Sequence, residues 1–128
     1  YNYFVWKLEL STGILTRIAG SAPGVKAFSG DGGAPTSAQF NYVRGIFLNT
    51  MGVLYIADQS NNRIRMIDTS NIITTFAGGG PATIGDGGPA TLGKLSLPNY
   101  VWEDTEGVLY IADKGYNRVR QVDGSGIL

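Results

Sequence analysis

The sequence predicts an all-β fold built from repeated antiparallel sheets, and three observations support this. The heptapeptide Gly-Val-Leu-Tyr-Ile-Ala-Asp occurs at residues 52–58 and returns unchanged at 107–113, which sets a repeat of 55 residues. β-Branched and aromatic residues dominate the runs between turns, and no apolar period of about 3.6 residues persists long enough to predict a helix. Most of the 19 glycines separate these runs, as is typical of short strands joined by tight turns.

The repeat extends beyond the heptapeptide. Gly-Asp-Gly-Gly at 30–33 returns at 85–88, and residues 30–72 share 19 of 43 identical positions with residues 85–127. An earlier partial copy aligns at an offset of 58, which places Trp6 at the position of Ile64. We assign the additional residues to a loop at 21–29, because loops accept insertions that strands do not.

One full copy is predicted to contain four strands, at residues 45–49, 53–58, 63–68 and 72–77. The second strand is apolar on both faces, so the sheet must be covered on both sides. Radial stacking of like sheets provides that cover, whereas a two-sheet sandwich leaves one face of each sheet exposed to water. The sequence therefore favours a β-propeller over a sandwich, as an arc of four-stranded antiparallel blades with about two and a half blades in this chain.

The predicted arc divides into five segments. Residues 1–20 form the end of one blade, 21–44 a connection, 45–78 a full blade, 79–99 a second connection and 100–128 most of a third blade. Within the connections, 35–40 and 89–95 can each hold a short turn at most. Because a propeller needs about four to eight blades to close, we expect the chain to lie in a larger ring, either as a piece of a longer array or through association of several copies.

Composition argues against several functional classes. Lys+Arg and Asp+Glu number 10 each, so the chain offers no basic field for nucleic acid. It has no cysteine and no histidine, which removes thiolate metal sites, the commonest general base and a principal zinc ligand. We therefore expect no enzyme activity, no zinc and no cofactor. No apolar run approaches the roughly 18 residues of a membrane-spanning helix.

Polar loops are the candidate binding elements. Asp31 and Asp86 lie in the Gly-Asp-Gly-Gly loops. Each loop has a single carboxylate, whereas a calcium ion usually needs several acidic ligands. The favoured interpretation is therefore that each aspartate caps the turn of its own loop. Asn61, Lys114 and Tyr116 follow the second strands, and Tyr116 is the aromatic residue most expected to be exposed. Successive strands reverse direction, so both kinds of connection emerge at one end of the blades, here called the long-loop face. We expect this face to bind a protein or glycan partner.

The remaining charged and aromatic residues have structural interpretations. Asp58 and Asp113 end the second strands and are expected to cap the following turns. Trp6 and Trp102 fall at apolar strand positions and are expected to pack between blades. The repeated arginines are expected to be surface residues paired with acidic neighbours such as Asp68 rather than a phosphate-binding stripe; they are Arg63, Arg65, Arg118 and Arg120.

These motifs resemble NHL repeats. The similarity rests on the repeated heptapeptide, on Asn-Asn-Arg-Ile-Arg at 61–65 and on Ile-Ile-Thr-Thr-Phe-Ala-Gly at 72–78. In addition, Gly-Asp-Gly-Gly-Pro-Ala-Thr at 85–91 is similar to a loop of bacterial and algal NHL arrays and of the teneurin propeller. Asn62 and Asn117 replace the usual histidine of the family. The resemblance implies an extracellular or cell-surface binding scaffold. Two alternatives stay open. The first is an NHL-like lyase or hydrolase, although the zinc site of the peptidyl-amidating lyase consists of histidines. The second is an RNA-binding propeller, which would require a basic face.

Overall fold

A computed structural model describes residues 3–81 and 85–128, so residues 1–2 of the first predicted blade and 82–84 of the second connection lie outside the described part. The fold is all-β, with antiparallel sheets of two, four and three strands in chain order, as expected for an arc of propeller blades. The strands are β1 (Val5–Glu9), β2 (Ile14–Ala19), β3 (Val43–Leu48), β4 (Leu54–Asp58), β5 (Arg63–Ile67), β6 (Ile73–Gly78), β7 (Pro98–Glu103), β8 (Leu109–Asp113) and β9 (Arg118–Val122).

Each sheet is a meander in which consecutive strands are hydrogen-bonded neighbours. The first strand of each full copy begins two residues earlier than predicted, because Val43 pairs with Asp58 and Pro98 pairs with Asp113. A β-bulge follows each of these pairs and interrupts the regular alternation of the strand near its start. Strands β4, β5 and β6 lie within one residue of their predicted bounds.

The helical content of the described residues consists of short 3₁₀ turns. Two lie in the long connections, where the sequence permits a short turn at most, and two follow β4 and β8, where no helical turn was predicted; they are Pro35–Ser37, Ala90–Leu92, Gln59–Asn61 and Lys114–Tyr116. The latter pair ends at Asn62 and Asn117, which adopt left-handed φ angles of 55° and 52°. Asparagine tolerates this conformation better than most residues. No helix among the described residues has the length and apolar character needed to cross a bilayer.

The middle sheet is covered on both faces. Leu54 and Ile56 of β4 pack in a cluster with Val5 and Ala19 of the first sheet. Tyr55, the residue between them, packs in a second cluster with Val101 and Ile111 of the third sheet. Alternate residues of β4 therefore face opposite neighbouring sheets, which confirms that this strand is apolar on both faces because both faces are buried.

The partial first copy has a register one residue different from the predicted alignment. Val5 pairs with Ala19 as Ile64 pairs with Ala77, so Trp6 occupies the position of Arg65 rather than that of Ile64. Trp6 consequently lies on the face of the first sheet that points away from the second sheet, and 50% of it is exposed. Trp102 lies on the corresponding outward face of the third sheet and is 51% exposed. Both tryptophans therefore lie on faces that no other sheet of the described residues covers, and the expectation that they pack between blades stays a prediction.

The short turns at the end opposite the long-loop face share one hydrogen-bonding pattern. In the turns at 50–52, 69–71, 105–107 and 124–126, a side-chain oxygen accepts the backbone N–H groups two and four residues later, as in an Asx-turn; the acceptors are Asn49, Asp68, Asp104 and Asp123. Asp68 and Asp123 thus stabilise turns, and the expectation that they are partners of the arginines is wrong.

We predict that Asp104→Asn flattens the pH dependence of stability. The pKa of Asp104 lies below its ordinary value of 3.8, chiefly because the N–H of Val108 donates to its carboxylate. The carboxylate therefore contributes stability that is present above the ordinary pKa and is lost as the pH falls through the lowered pKa. Asparagine retains an oxygen acceptor, as Asn49 does at the equivalent position, but does not titrate.

The measurement is the melting temperature between pH 7 and pH 2 for wild type and variant. The wild type should lose more degrees over this range than the Asp104→Asn variant. Asp104→Ala, which removes the acceptor, should melt lower than Asp104→Asn at pH 7. Parallel pH profiles for the wild type and Asp104→Asn would contradict the assigned role of the carboxylate.

Candidate functional site: the long-loop face

The connections that were predicted to share one end of the blades contact one another there. The N–H of Ser60, after β4, donates to the carbonyl of Asn41 at 2.9 Å. The N–H of Gly115, after β8, donates to the carbonyl of Ser96 at 2.7 Å. The long-loop face is therefore a continuous surface in which each loop after a second strand is hydrogen-bonded to the connection that precedes its own sheet.

Asp58 and Asp113, at the ends of β4 and β8, hold these connections through hydrogen bonds. Both carboxylates are fully buried, and they accept the backbone N–H groups of Asn41 at 2.8 Å and Ser96 at 2.7 Å. Neither caps the turn that follows it, which corrects the sequence-based expectation. Burial raises the pKa of both carboxyl groups above the ordinary value of 3.8, whereas hydrogen bonds and the arginine charges act in the opposite direction.

Arg65 is a fully buried cation at the base of the first long connection. Its guanidinium donates to Asp31 Oδ1 at 2.7 Å and to the carbonyl of Ser29 at 3.2 Å, and it lies 3.6 Å from Asp58 Oδ2. Arg65 is therefore not a surface arginine, and Asp31 binds it instead of capping its own Gly-Asp-Gly-Gly turn. The cluster of Asp31, Asp58 and Arg65, here called the arginine clamp, joins the connection to β4 and β5.

Aromatic rings surround the clamp. The guanidinium carbon of Arg65 lies 4.8 Å from the ring centroid of Phe28 and 5.4 Å from that of Phe40. Arg63 stacks on Phe28 at 3.8 Å. The Nε of Arg65 has no hydrogen-bond partner among the described residues. These rings therefore supply favourable electrostatic contact to a cation whose hydrogen bonds are incomplete.

The Gly-Asp-Gly-Gly loop is shaped to reach this position. Gly30 has a φ of +90°, and a Cβ there would lie 2.6 Å from the Cα of Ala38, so only glycine permits this close approach. The second oxygen of Asp31 accepts the hydroxyl of Thr75 on β6 at 2.6 Å. The loop therefore lies along the outer edge of the middle sheet, which the isolated bridge between Gly33 and Ile73 also shows.

The third sheet repeats the clamp in a more open form. Arg120 forms an ion pair with Asp86 and lies 3.5 Å from Asp113 Oδ2. Arg118 lies 3.8 Å from the second carboxylate oxygen of Asp86. The side chain of Asp86 is 63% exposed, against 36% for Asp31. The open form also corrects the predicted turn-capping role of Asp86.

The residues predicted to contact a partner differ in their surroundings. Asn61 is partly buried, and its side-chain amide donates to the carbonyl of Ala27 and to Asp58, each at 2.8 Å. Lys114 is exposed and Tyr116 is partly buried in the loop after β8. The expectation that Tyr116 is the most exposed aromatic residue is wrong, because Tyr100 is 60% exposed. A partner-binding role for these residues, and for Asp31 and Asp86, stays a prediction. In the described part of the chain no cluster of three or more acidic, cysteine or histidine side chains could hold a metal ion.

The end with the short turns contains a groove that the sequence analysis missed. It has a volume of about 560 Å³ and lies between the turns that follow β3 and β7, with Met51 and Trp102 among its lining residues. The side-chain amide of Asn49 donates to Glu103 at 2.8 Å across it. Met51 is the sequence signal that could have indicated it, because it lies in the turn at 50–52, where polar residues, glycine and proline are usual, and it is 69% exposed.

Comparison with known proteins identifies a matching family model and a related protein. The family model described as the teneurin NHL domain matches residues 14–83, which is more than half of the chain. Teneurin-m of Drosophila melanogaster is 39% identical over 56 residues, which cover 44% of this chain and 2% of that protein. The chain therefore spans a very small part of this relative.

Solved structures of Bacteroides thetaiotaomicron proteins share the fold. A protein of unknown function has a TM-score of 0.78 at 23% identity, with 93% of this chain and 29% of that chain covered. An auxiliary nutrient binding protein has a TM-score of 0.70 at 24% identity, with 93% of this chain and 32% of that chain covered. The present chain spans about a third of each.

We predict that Arg65→Met lowers the free energy of unfolding by about 3–5 kcal/mol, because it leaves the buried Asp58 without its cation. Adding Asp58→Asn should recover part of this loss, since the amide carries no charge. Denaturant unfolding of both variants measures the effect. Arg118→Met is the control, because this exposed arginine should contribute at most about 1 kcal/mol. An Arg65→Met effect as small as that of the control would contradict the clamp.

Proposed function

Because the chain belongs to the teneurin NHL domain family, we propose that it is a non-catalytic binding scaffold whose long-loop face contacts a protein or glycan partner. In this proposal the chain is part of a larger propeller ring. It acts outside the cell or at the cell surface, in keeping with the resemblance to Teneurin-m. The resemblance to NHL proteins suggests the class of function, and the residues of this chain supply the proposed surface.

The observation that supports this proposal most strongly is that charged side chains under the loops bind one another and the loop backbone. Asp31, Asp58 and Arg65 bind one another and the backbone of the connection, so the first long loop is held against the sheet. A loop that is already ordered loses less conformational entropy when it binds a partner. The clamp thus favours a rigid recognition surface over a reaction centre.

The outer surface of the long-loop face supplies the proposed contacts. Lys114 is exposed and Tyr116 is partly exposed beside it, and these residues combine a cation with an amphipathic ring. Val25 at the tip of the first long loop is 49% exposed. Tyrosine next to polar and apolar loop residues is typical of protein-binding and glycan-binding surfaces.

Two alternatives have weaker support. An RNA-binding propeller would use a basic surface, but the chain has no net charge, and Arg65, Arg118 and Arg120 are paired with Asp31 or Asp86. A lyase of the zinc-dependent type would need histidine ligands, and the sequence has no histidine. These features lead us to favour binding without catalysis.

We predict that Lys114→Ala combined with Tyr116→Ala reduces partner binding about tenfold, as expected when central contacts of an interface are removed. The labelled protein would be tested on a glycan array and on intact animal cells with or without protease or glycosidase treatment. Sensitivity to protease indicates a protein partner, and sensitivity to glycosidase indicates a glycan.

Ser70→Ala, in a short turn at the opposite end, is the matched control and should bind as the wild type does. The melting temperature of the double variant should stay within about 2 °C of the wild-type value, because an exposed substitution changes stability little. Equal binding by the double variant and the wild type, or an equal loss in the control, would contradict binding through the long-loop face.

A further inference from the structure

Charged residues are unevenly distributed along the length of the strands. Six of the ten acidic residues lie in or directly beside the short turns, including the turn between β1 and β2; they are Glu9, Asp68, Glu103, Asp104, Glu106 and Asp123. In the described part of the chain, no lysine or arginine lies in these turns. This end of the molecule, here called the acidic end, therefore carries negative charge although the whole chain has no net charge.

The long-loop face has the opposite charge. Six of the ten lysines and arginines lie in its connections or among the first two residues of the strands that begin there; they are Lys26, Arg44, Arg63, Lys94, Lys114 and Arg118. The acidic residues on this side form ion pairs with Arg65 or Arg120; they are Asp31, Asp58, Asp86 and Asp113. Charge that is separated in this way attracts anionic groups to one end of the molecule only.

The first long connection places apolar and cationic side chains next to one another. Val25, Lys26 and Phe28 are exposed within the segment 21–29. The carbonyl of Ala27 accepts the side-chain amide of Asn61 at 2.8 Å, which holds this segment beside the loop after β4. The exposed apolar groups of the segment therefore belong to the long-loop face.

The second long connection repeats this combination. Lys94 and Leu97 are exposed. The N–H of Gly80, just after β6, donates to the carbonyl of Gly93 at 3.2 Å, and the N–H of Leu97 donates to Asn62 Oδ1 at 2.8 Å. A cation and an aliphatic side chain are thus held at the junction between the middle and third sheets, on the same face as Val25.

The aromatic rings near these cations are covered by arginines. The guanidinium of Arg63 lies 3.8 Å from the ring centroid of Phe28, and that of Arg44 lies 4.8 Å from the ring centroid of Tyr42. An RNA base would have to displace these cations in order to stack. The hydroxyl groups of a sugar would lose hydrogen bonds to water against Val25 and Leu97 without gaining partners. Cations beside aliphatic side chains therefore favour a protein ligand over RNA or a glycan.

We propose that the long-loop face binds an acidic segment of a protein partner, in which carboxylates alternate with apolar side chains. This inference rests on the proposed binding function of that face and names the chemistry of its partner. The carboxylates pair with exposed cations such as Lys94 and Lys114, and the apolar side chains cover Val25 and Leu97. The acidic end repels the same segment, so charge also determines which end of the molecule the partner approaches.

The probe is the synthetic peptide Glu-Leu-Glu-Phe-Glu-Leu-Glu, titrated calorimetrically into the full chain. In one matched peptide serine replaces every glutamate, and in the other serine replaces leucine and phenylalanine. The probe should bind about tenfold more tightly than either matched peptide, because charge pairing and apolar burial both contribute. Its affinity should fall as salt is added, since salt screens exposed charges. Equal binding of the probe and either matched peptide, or tighter binding of a heparin oligosaccharide or an oligouridylate, would overturn the proposal.

Two variants locate the probe on the long-loop face. Lys94→Met, and the pair Val25→Ser with Leu97→Ser, should each weaken probe binding about tenfold, as expected when contacts of an interface are removed. Their melting temperatures should stay within about 2 °C of the wild-type value, because exposed substitutions change stability little.

Lys7→Met and Leu10→Ser are the matched controls, because both residues are exposed and lie away from the long-loop face, on β1 and in the turn after it. They should bind the probe within about twofold of wild type. Equal weakening by the controls and the test variants would overturn the proposal. If Lys114→Ala with Tyr116→Ala abolishes binding to cells while the Lys94, Val25 and Leu97 variants bind the probe as wild type does, the proposed function stands and this inference fails.

Discussion

The ion pair between the buried Arg65 and the partly exposed Asp31 is the interaction on which the organisation of this molecule depends. A guanidinium that is taken out of water requires compensation, and here a glycine-rich loop supplies it with a carboxylate at 2.7 Å. Asp58 lies 3.6 Å from the same cation and also holds the backbone N–H of Asn41. One buried charge thus joins the sheet, the connection before it and the loop surface above it.

The two clamps use the same residue types with different degrees of closure. Around Arg65, the rings of Phe28 and Phe40 and the hydroxyl of Thr75 complete the environment. Around Arg120, the carboxylate of Asp86 is largely exposed and lies in a groove beside β9. The exposure of the clamp carboxylate therefore depends on the groups that pack beside it and not on the Gly-Asp-Gly-Gly motif alone.

Part of the candidate site was predictable from the sequence and part was not. The shared end of the polar loops followed from the reversal of successive strands, and the backbone contacts of Ser60 and Gly115 agree with it. The partner of Asp31 could not be inferred, because Arg65 is 34 positions away along the chain. Local rules for Asp in glycine-rich turns favoured self-capping, and the desolvated arginine outweighed that preference by offering a charge-assisted hydrogen bond.

The sequence by itself determined the period of the repeat and the strands of the full copy. It also determined that Leu54 and Tyr55 are buried on opposite faces, because strand alternation is a local property of the backbone. The tertiary structure alone decided the register of the partial copy, in which Trp6 takes the position of Arg65. It also decided which charged side chains are buried, among them Arg65 and Asp58. These features depend on groups that are distant in sequence and compete for the same space and the same hydrogen bonds. The pattern of residues along the chain does not show which groups meet.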